Sequence, residues 1–498
     1  MSKKSGTLTL ADLIIGLEAS VSVEELIADA GAVQIESTVI DSRLAVPGCL
    51  FVALRGQRTD GHDYIPDAIQ KGAVAVIAEE VPSPAHCHDV KAARLQICSF
   101  EGTTCLVVPN SLIALQCAAA HWRQQQEARV IGITGSIGKT TTKEVVYAVV
   151  AQRYRTLKSE GNYNNEIGLP LTLMNLTKEH ERVVLEMGMY DAGEIAELAE
   201  IARPQVGVVT NVGPSHLERL GTLERVAQAK SELPRALPSS EQGGTAILNA
   251  DDQWVRGMAN QTQAKVFTYG LDPNADLWAD GIQSEGLDGI HFRFHYGQET
   301  IYARVPMLGS HSVHTALRAA AVGLTEGLSW EEIMAGLHDQ SAQLRLVVVP
   351  GPAGSIILDD TYNASPASSI AALNLLNDLQ GRKIAVLGDM LELGQYEAEG
   401  HKLVGRRVRD VADQLIAVGT LASTIGEEAL AMGMDPKAVH LVDTNAQAID
   451  VLRTLIEAGL GSDRVLVKGS RGMAMEEIVS SLTQYQRIMP PQSKESRL

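Results

Sequence analysis

Between residues 127 and 335 one pattern repeats: a short unbroken apolar run closes on a polar residue, and a helix-prone stretch follows. The runs are Val130 to Ile133 before a glycine-rich turn, Arg182 to Leu185 closing on Glu186, Val206 to Val209 closing on Thr210-Asn211, and Thr245 to Leu248 closing on Asn249-Ala250-Asp251. Strands that are apolar at nearly every position need cover on both faces, so the pattern predicts a parallel sheet with helices above and below. A ligand of such a sheet sits beyond the carboxyl ends of its strands, and each polar residue just named falls there. From about 340 to 485 the pattern returns. Ile356 to Leu358 closes on Asp359-Asp360, Ile384 to Leu387 on Gly388-Asp389, Leu415 to Val418 on Gly419, Val439 to Val442 on Asp443, and Val465 to Val467 on Lys468. A second doubly wound sheet is expected. Residues 1 to 110 alternate shorter runs, such as Leu50 to Leu54 and Ala73 to Ile77, with helix-like stretches. Pro82 to Glu101 reads as loop, Ser111 to Gln126 as a connecting helix, and residues 490–498 as a polar, disordered tail.

The glycine-rich turn is Gly135-Ser136-Ile137-Gly138-Lys139-Thr140, and it opens the helix-prone stretch Thr141 to Val150. Strand, glycine turn, Lys-Thr and helix is the arrangement that holds a nucleotide triphosphate. The glycines let backbone N–H groups turn onto phosphate oxygens, the lysine reaches the terminal phosphates, and the threonine hydroxyl can ligate magnesium. The usual eight-residue pattern has a further glycine where Ile133 stands. The strand–turn–helix context therefore carries the reading, and its bland alternative is a tight turn. The expected fold is α/β with three domains: a small N-terminal domain, a central phosphate-loop ATPase-type parallel sheet and a C-terminal Rossmann-like sheet. The expected boundaries are 1–110, 111–335 and 336–489. Three domains also suit 498 residues at about 150 per domain.

Charge narrows the partners. Sixty acidic residues against 42 basic ones leave a net charge of −18, which argues against nucleic-acid or anionic-membrane binding. An anionic substrate must then be held by local cations, helix ends or metal. Met1 to Leu17 is not a secretory signal, because Asp12 breaks its apolar run, and no apolar stretch is long enough to span a bilayer. The five cysteines are odd in number and form no Cys-x-x-Cys pair, so a reducing cytoplasm is expected. His86-Cys87-His88 lacks a second ligand pair nearby and is not read as a metal site.

Several strand-end residues carry candidate chemistry. Glu186 can take magnesium, or it can cap a helix. His216 follows a Gly-Pro turn at the next strand end and points into the same crevice, or is a turn histidine. Lys230, in the helix Val226 to Glu232, reads on its own terms as a surface lysine. Asp359 to Pro366 places two acids, Tyr362 and Asn363 in one turn that suits binding or merely packs. Arg345 precedes that strand and could reach phosphate from another domain. Lys468-Gly469-Ser470-Arg471-Gly472 sets two cations among glycines, which suits a carboxylate or a solvated loop.

Jointly, and in order over nearly the whole chain, these pieces resemble the Mur ligase family of peptidoglycan synthesis. Gly161-Asn162-Tyr163-Asn164-Asn165, Asp359 to Pro366, Leu387 to Gly394 and Lys468 to Gly472 resemble the family member that adds a dipeptide. Asp41-Ser42-Arg43, Phe51 to Leu54 and Asp60-Gly61-His62 resemble the domain that holds the UDP end of the substrate. The resemblance implies an ATP-dependent ligase that joins D-alanyl-D-alanine to UDP-N-acetylmuramoyl-tripeptide through an acyl phosphate. It implies ATP on Gly135, Ser136, Gly138, Lys139, Thr140 and Thr141, with His311, Arg345 and Asp360 closing on the nucleotide. Magnesium would be held by Thr140 and Glu186, and a second ion by His216 and Lys230, the latter as a carbamate. Lys139, Glu186, His216, Lys230 and Arg345 would be the catalytic set. Ser42, Arg43, Asn164, Asn165, Asn363, Lys468, Ser470 and Arg471 would bind the muramoyl peptide or the dipeptide. A cytoplasmic monomer is expected.

Three departures stand out. The adenine-side motif, usually His-Asn-x-x-Asn-Ala, reads His311-Ser312-Val313-His314-Thr315-Ala316; Ile137 occupies a loop position that is usually polar; and Ser365 replaces an asparagine. None removes a phosphate, metal or charge-bearing group, so an active enzyme is expected. The alternatives are a Mur-type ligase adding a single amino acid, a phosphate-loop ATPase or kinase of other function, and an inactive binding protein.

Overall fold

A computed structural model describes residues 7–17, 32–56, 59–80, 86–88, 95–215, 217–339, 346–459 and 461–483. His216, Arg345 and the tail 490–498 lie outside the described residues.

Three sheets organise the chain. The first runs β1 (Ser37–Val39), β2 (Cys49–Val52), β3 (Ala75–Ala78), β6 (Thr103–Val107), β5 (Gln96–Phe100) and β4 (His86–His88). The first four are parallel, and β5 and β4 add antiparallel. Part of Pro82 to Glu101, expected as loop, is therefore strand. Cys49 and Cys105 are buried free thiols, and Cys98 is disulfide-bonded, which the odd cysteine count did not foretell.

The central sheet has nine strands in the order β15 (Glu299–Val305), β14 (Ile290–Tyr296), β13 (Leu277–Ser284), β12 (Lys265–Gly270), β11 (Thr245–Asn249), β10 (Val206–Val209), β7 (Arg129–Thr134), β9 (Arg182–Glu186) and β8 (Thr156–Lys158). Its middle is parallel, as the unbroken apolar runs require. Alternate residues of one strand serve opposite cores. Val130, Val183 and Leu185 pack beneath the helices Ser111–Gln124, Gly168–Met174 and Glu194–Ala202. Ile131, Ile133 and Val184 pack beneath Lys139–Val150 and Val313–Thr325. Each such fully buried aliphatic side chain contributes about 1.5–3 kcal/mol, so the site rests on firmly held strands.

One edge departs from the parallel expectation: β13, β14 and β15 form an antiparallel meander. There Ile290, Phe292 and Phe294 are buried, while His291, Arg293 and His295 between them are not. Such alternation leaves no unbroken apolar run to read.

The third sheet runs β16 (Val347–Pro350), β17 (Ile356–Asp359), β21 (Arg464–Lys468), β18 (Lys383–Gly388), β19 (Gln414–Val418) and β20 (Val439–Val442), with only β16 antiparallel. No helix among the described residues is long and apolar enough to cross a membrane.

Candidate active site

The turn after β7 is forced open by its glycines. Gly135 has φ of +140° and Gly138 of +81°, values that L side chains rarely adopt. A Cβ on Gly135 would also lie 1.9 Å from the Thr210 hydroxyl. The end of β10 splints this turn. Asn211 accepts the Ser136 N–H through its backbone oxygen (2.9 Å) and the Ile137 N–H through Oδ1 (3.0 Å). The Thr210 hydroxyl donates to the Ile137 carbonyl over 2.7 Å, and Ser136 Oγ donates to the Gly213 carbonyl over 3.1 Å. Lys139 folds over the loop, its ammonium donating to the Gly135 carbonyl at 2.8 Å. With Thr141 behind Thr140 in the first helical turn, a positive N-terminus and one ammonium converge where a phosphate would sit.

Glu186 ends β9, beside β7 in parallel register with Ile133. It is 1% exposed. The Thr140 hydroxyl donates to one of its oxygens at 2.7 Å and the Asn164 amide to the other at 2.8 Å, while Ser159 Oγ accepts its N–H at 3.0 Å. The Asn165 side chain accepts the Gly168 N–H at 2.9 Å, just ahead of the next helix.

Lys230 is not the surface lysine its helix suggested. It is wholly buried, and among the described residues its amine has no hydrogen-bond partner. Burial first, and then the neighbouring Lys139 ammonium, push the Lys230 amine well below the ordinary lysine range, against the opposing charges of Glu232, Glu186 and Glu194. Lys139, Glu186 and Lys230 therefore share one neighbourhood. Thr140 and Glu186 offer the hydroxyl and carboxylate oxygens that magnesium takes together with phosphate and water, so the residues present fit that ion.

The ends of β17 and β21 lie side by side in the third sheet, Asp359 in register with Val467. Lys468 pairs with Asp360 at 2.7 Å and donates to the Asn363 carbonyl at 2.8 Å. Ser470 ties down the Leu391 N–H at 2.9 Å. Arg471 lies over the Tyr362 ring at 5.2 Å, and two of its guanidinium nitrogens are buried without partners among the described residues. Burial holds the His311 imidazole below its ordinary value, and Asp360 works against that shift, so His311 of the central region faces the third sheet. Gln395 adds a bond from that side to the Gly221 carbonyl at 2.9 Å.

Ser42 and Arg43 lie in the 3₁₀ turn Ser42–Leu44 between β1 and β2. Arg43 is paired with Asp41 at 2.6 Å, and the Ser42 carbonyl accepts from Lys71 at 2.9 Å. Burial raises the Tyr163 phenol, and charges on Glu160 and Asp41 raise it further. The Asp41 turn thus faces the segment that carries Tyr163 and Asn164.

Residues 133–323 match the Mur ligase middle domain, 344–471 the Mur ligase glutamate ligase domain, and 34–102 the Mur ligase family catalytic domain. The UDP-N-acetylmuramoyl-tripeptide–D-alanyl-D-alanine ligase of Bacillus subtilis is 36% identical over 459 residues, 90% of this chain and 94% of the relative. This chain belongs to the Mur ligase family. The crystal structure of MurF from Acinetobacter baumannii is similar in fold, with a TM-score of 0.81 and 29% identity over 97% of this chain and all of that one. The MurF ligase of Thermotoga maritima in complex with ADP gives 0.74 at 29% identity over 89% of this chain and 96% of that one.

Against the family pattern, the three departures have local explanations. Ser312 donates to the Leu308 carbonyl at 2.7 Å. Thr315 accepts a bond from Arg318 at 2.8 Å, a residue the sequence reading passed over. Ile137 engages the end of β10 through its backbone alone, so this Mur ligase needs no polar side chain there. Ser365 caps the helix Pro366–Asp378 in a reciprocal capping box.

Proposed function

We propose that this Mur ligase joins D-alanyl-D-alanine to UDP-N-acetylmuramoyl-tripeptide, driven by ATP, in the making of peptidoglycan precursors. The observation that carries the reading is Lys230, a buried amine with no hydrogen-bond partner among the described residues, held beside Lys139 and Glu186 at the phosphate loop. A neutral amine attacks carbon dioxide, releases a proton and becomes a carbamate, which converts a repelled cation into an anionic oxygen ligand. Thr140, Glu186, carbamylated Lys230 and His216 are the proposed magnesium ligands. Bound there, magnesium supplies charge neutralisation at the phosphate oxygens.

In the first step the tripeptide carboxylate attacks the γ-phosphorus of ATP, and ADP leaves as an acyl phosphate forms. In the second the dipeptide amine attacks the acyl carbon, the carbon–oxygen bond to phosphate breaks, and the amine proton goes to solvent. Lys139 and Arg345 offset the negative charge that gathers in the first step. His311 and Asp360 meet the nucleotide from opposite sides, and closure there keeps water from the acyl phosphate. Residues 1–110, with Ser42 and Arg43, take the UDP end; 111–335 take ATP, with Asn164 and Asn165 on the muramoyl peptide; 336–489, through Asn363, Lys468, Ser470 and Arg471, take the dipeptide. The protein acts as a monomer in the cytoplasm, where ATP and UDP-linked sugars are made.

The test is the mass of the product formed from ATP, the UDP-muramoyl-tripeptide and either D-alanyl-D-alanine or single amino acids. Dipeptide addition with one phosphate released per product is expected. Addition of a single amino acid instead, or ATP turnover that ignores the dipeptide, refutes the reading.

A further inference from the structure

Arg318 sits in the helix Val313–Thr325, in the run Ala316-Leu317-Arg318-Ala319-Ala320, as the one charge among apolar neighbours. It is 4% exposed. Nη2 donates to the Thr315 hydroxyl at 2.8 Å, and Nε has no partner among the described residues. Among the described residues no carboxylate lies within ion-pair distance of it. Its charge opposes the burial that pushes the Tyr269 phenol up to about 12, so Tyr269 is a neutral neighbour rather than a counter-ion. A buried cation without a counter-ion is costly to keep. It persists where an anion arrives to complete it.

The place where an anion would arrive is adjacent. A Cβ built on Gly138 would lie 3.4 Å from Arg318 Nη2, so the guanidinium rests against the last glycine of the phosphate loop, one residue before Lys139. Thr315 and Arg318 are three residues apart and His314 and Arg318 four apart, so all three stand on one helix face. Asp251, the acid that might have served, is taken: it accepts from His314 at 2.7 Å and from the Leu271 N–H. Tyr269, packed by the same face, donates to the Thr210 carbonyl at 3.1 Å, on the strand end that splints the loop.

We propose that Arg318 is a phosphate-binding residue for the nucleotide on loop 135–140, with Thr315 as the residue that positions it. The Thr315–Arg318 pair stands on the adenine-side helix where an amide is usual, and supplies charge in place of an amide contact.

The test uses the whole enzyme and needs no turnover. Arg318→Met keeps the bulk and removes the charge; Arg318→Lys keeps the charge and loses the fork. Calorimetry with MgADP is expected to give an affinity about 10- to 100-fold lower for R318M, a partial recovery for R318K, and a shallower salt dependence for R318M. The preference for ADP over GDP should not move, and UDP-muramoyl-tripeptide should bind as before. Unliganded R318M should melt no lower than the unmodified protein, since an unpaired buried charge has gone. Thr315→Val should weaken ADP binding less than R318M does. Unchanged ADP affinity in a folded R318M overturns the proposal, as does loss of ADP-over-GDP preference with GDP binding intact. A lower melting point with ADP and the UDP substrate weakened alike also overturns it, because Arg318 would then be a packing residue. Binding of MgADP by the unmodified enzyme, and its loss in Lys139→Ala, test the phosphate loop separately.

Discussion

The Thr140 hydroxyl donates to the Glu186 carboxylate over 2.7 Å, joining the first turn of one helix to the end of a neighbouring strand. Two backbone elements fixed by a common core therefore hold a hydroxyl and a carboxylate at one point. Glu186→Gln keeps the size and the Asn164 contact's reach but removes the charge. We expect kcat for ligation to fall about 100- to 1,000-fold, with the unliganded melting point unchanged. Phosphate release at saturating substrates measures the first, and thermal unfolding the second. A drop of less than tenfold would mean that Glu186 is a structural strand cap.

Lys230 makes two predictions that separate chemistry from burial. Lys230→Met should nearly abolish ligation, and the unmodified enzyme alone should give a carbamate carbon signal in labelled carbon dioxide. Stability follows from the depressed amine. In the unfolded chain this lysine binds a proton up to the ordinary lysine range, while in the folded chain it releases it well below. The unfolded state therefore holds more protons between those two values, and stability rises with pH across that window. In buffer free of carbon dioxide, the unmodified protein should gain stability relative to Lys230→Met as pH climbs from neutral towards 10. A gap that is flat with pH would contradict the neutral buried amine.

Much of this site was legible because parallel strands advertise themselves. Val130 to Ile133 and Val206 to Val209 are buried at every position, and the residues that close such runs must lie at one edge of the sheet. Thr210, Asn211 and Glu186 were found by that rule alone. The rule fails where burial alternates, as in β14, and where a strand is short and half-exposed, as in β8. It also says nothing about what a helix residue faces. Lys230 reached the site through the resemblance rather than through its own segment, and its burial is seen only in the structure; Arg318 gave no signal beyond a lone charge in an alanine-rich run. Its neighbour Gly138 is 180 residues away in the chain, a proximity that only the packing of two helices on one sheet face creates.

Gly135 offers a test of the loop's geometry. With φ at +140° and the Thr210 hydroxyl 1.9 Å from any added Cβ, Gly135→Ala strains the backbone and also displaces the residue that splints Ile137. A loss of about 3 kcal/mol or more is expected, with ADP affinity falling alongside. Denaturant unfolding with and without MgADP checks both. An unchanged midpoint would show that the turn relaxes freely, and the loop would then be less rigid than its six-fold anchoring to Thr210, Asn211 and Gly213 implies.

Arg471 combines a ring beneath its guanidinium with two buried nitrogens that bond to nothing among the described residues. Leaving charged donors unmet costs more than a typical hydrogen bond returns, so the arrangement suits a ligand that brings two oxygens in one plane. The free carboxylate of D-alanyl-D-alanine is such a group. Arg471→Ala should raise the KM for the dipeptide about 10- to 100-fold with a smaller effect on kcat, because the contact is the same in ground and transition states. Arg471→Lys should recover little, since an ammonium cannot grip both oxygens at once. The decisive comparison is the dipeptide amide, which lacks the negative charge. The unmodified enzyme should use it poorly, and Arg471→Ala should handle the amide and the acid alike. If the variant still prefers the acid by the full margin, the carboxylate is held elsewhere, and the pair Lys468–Asp360, whose cation is already matched by an acid at 2.7 Å, would have to open to receive it.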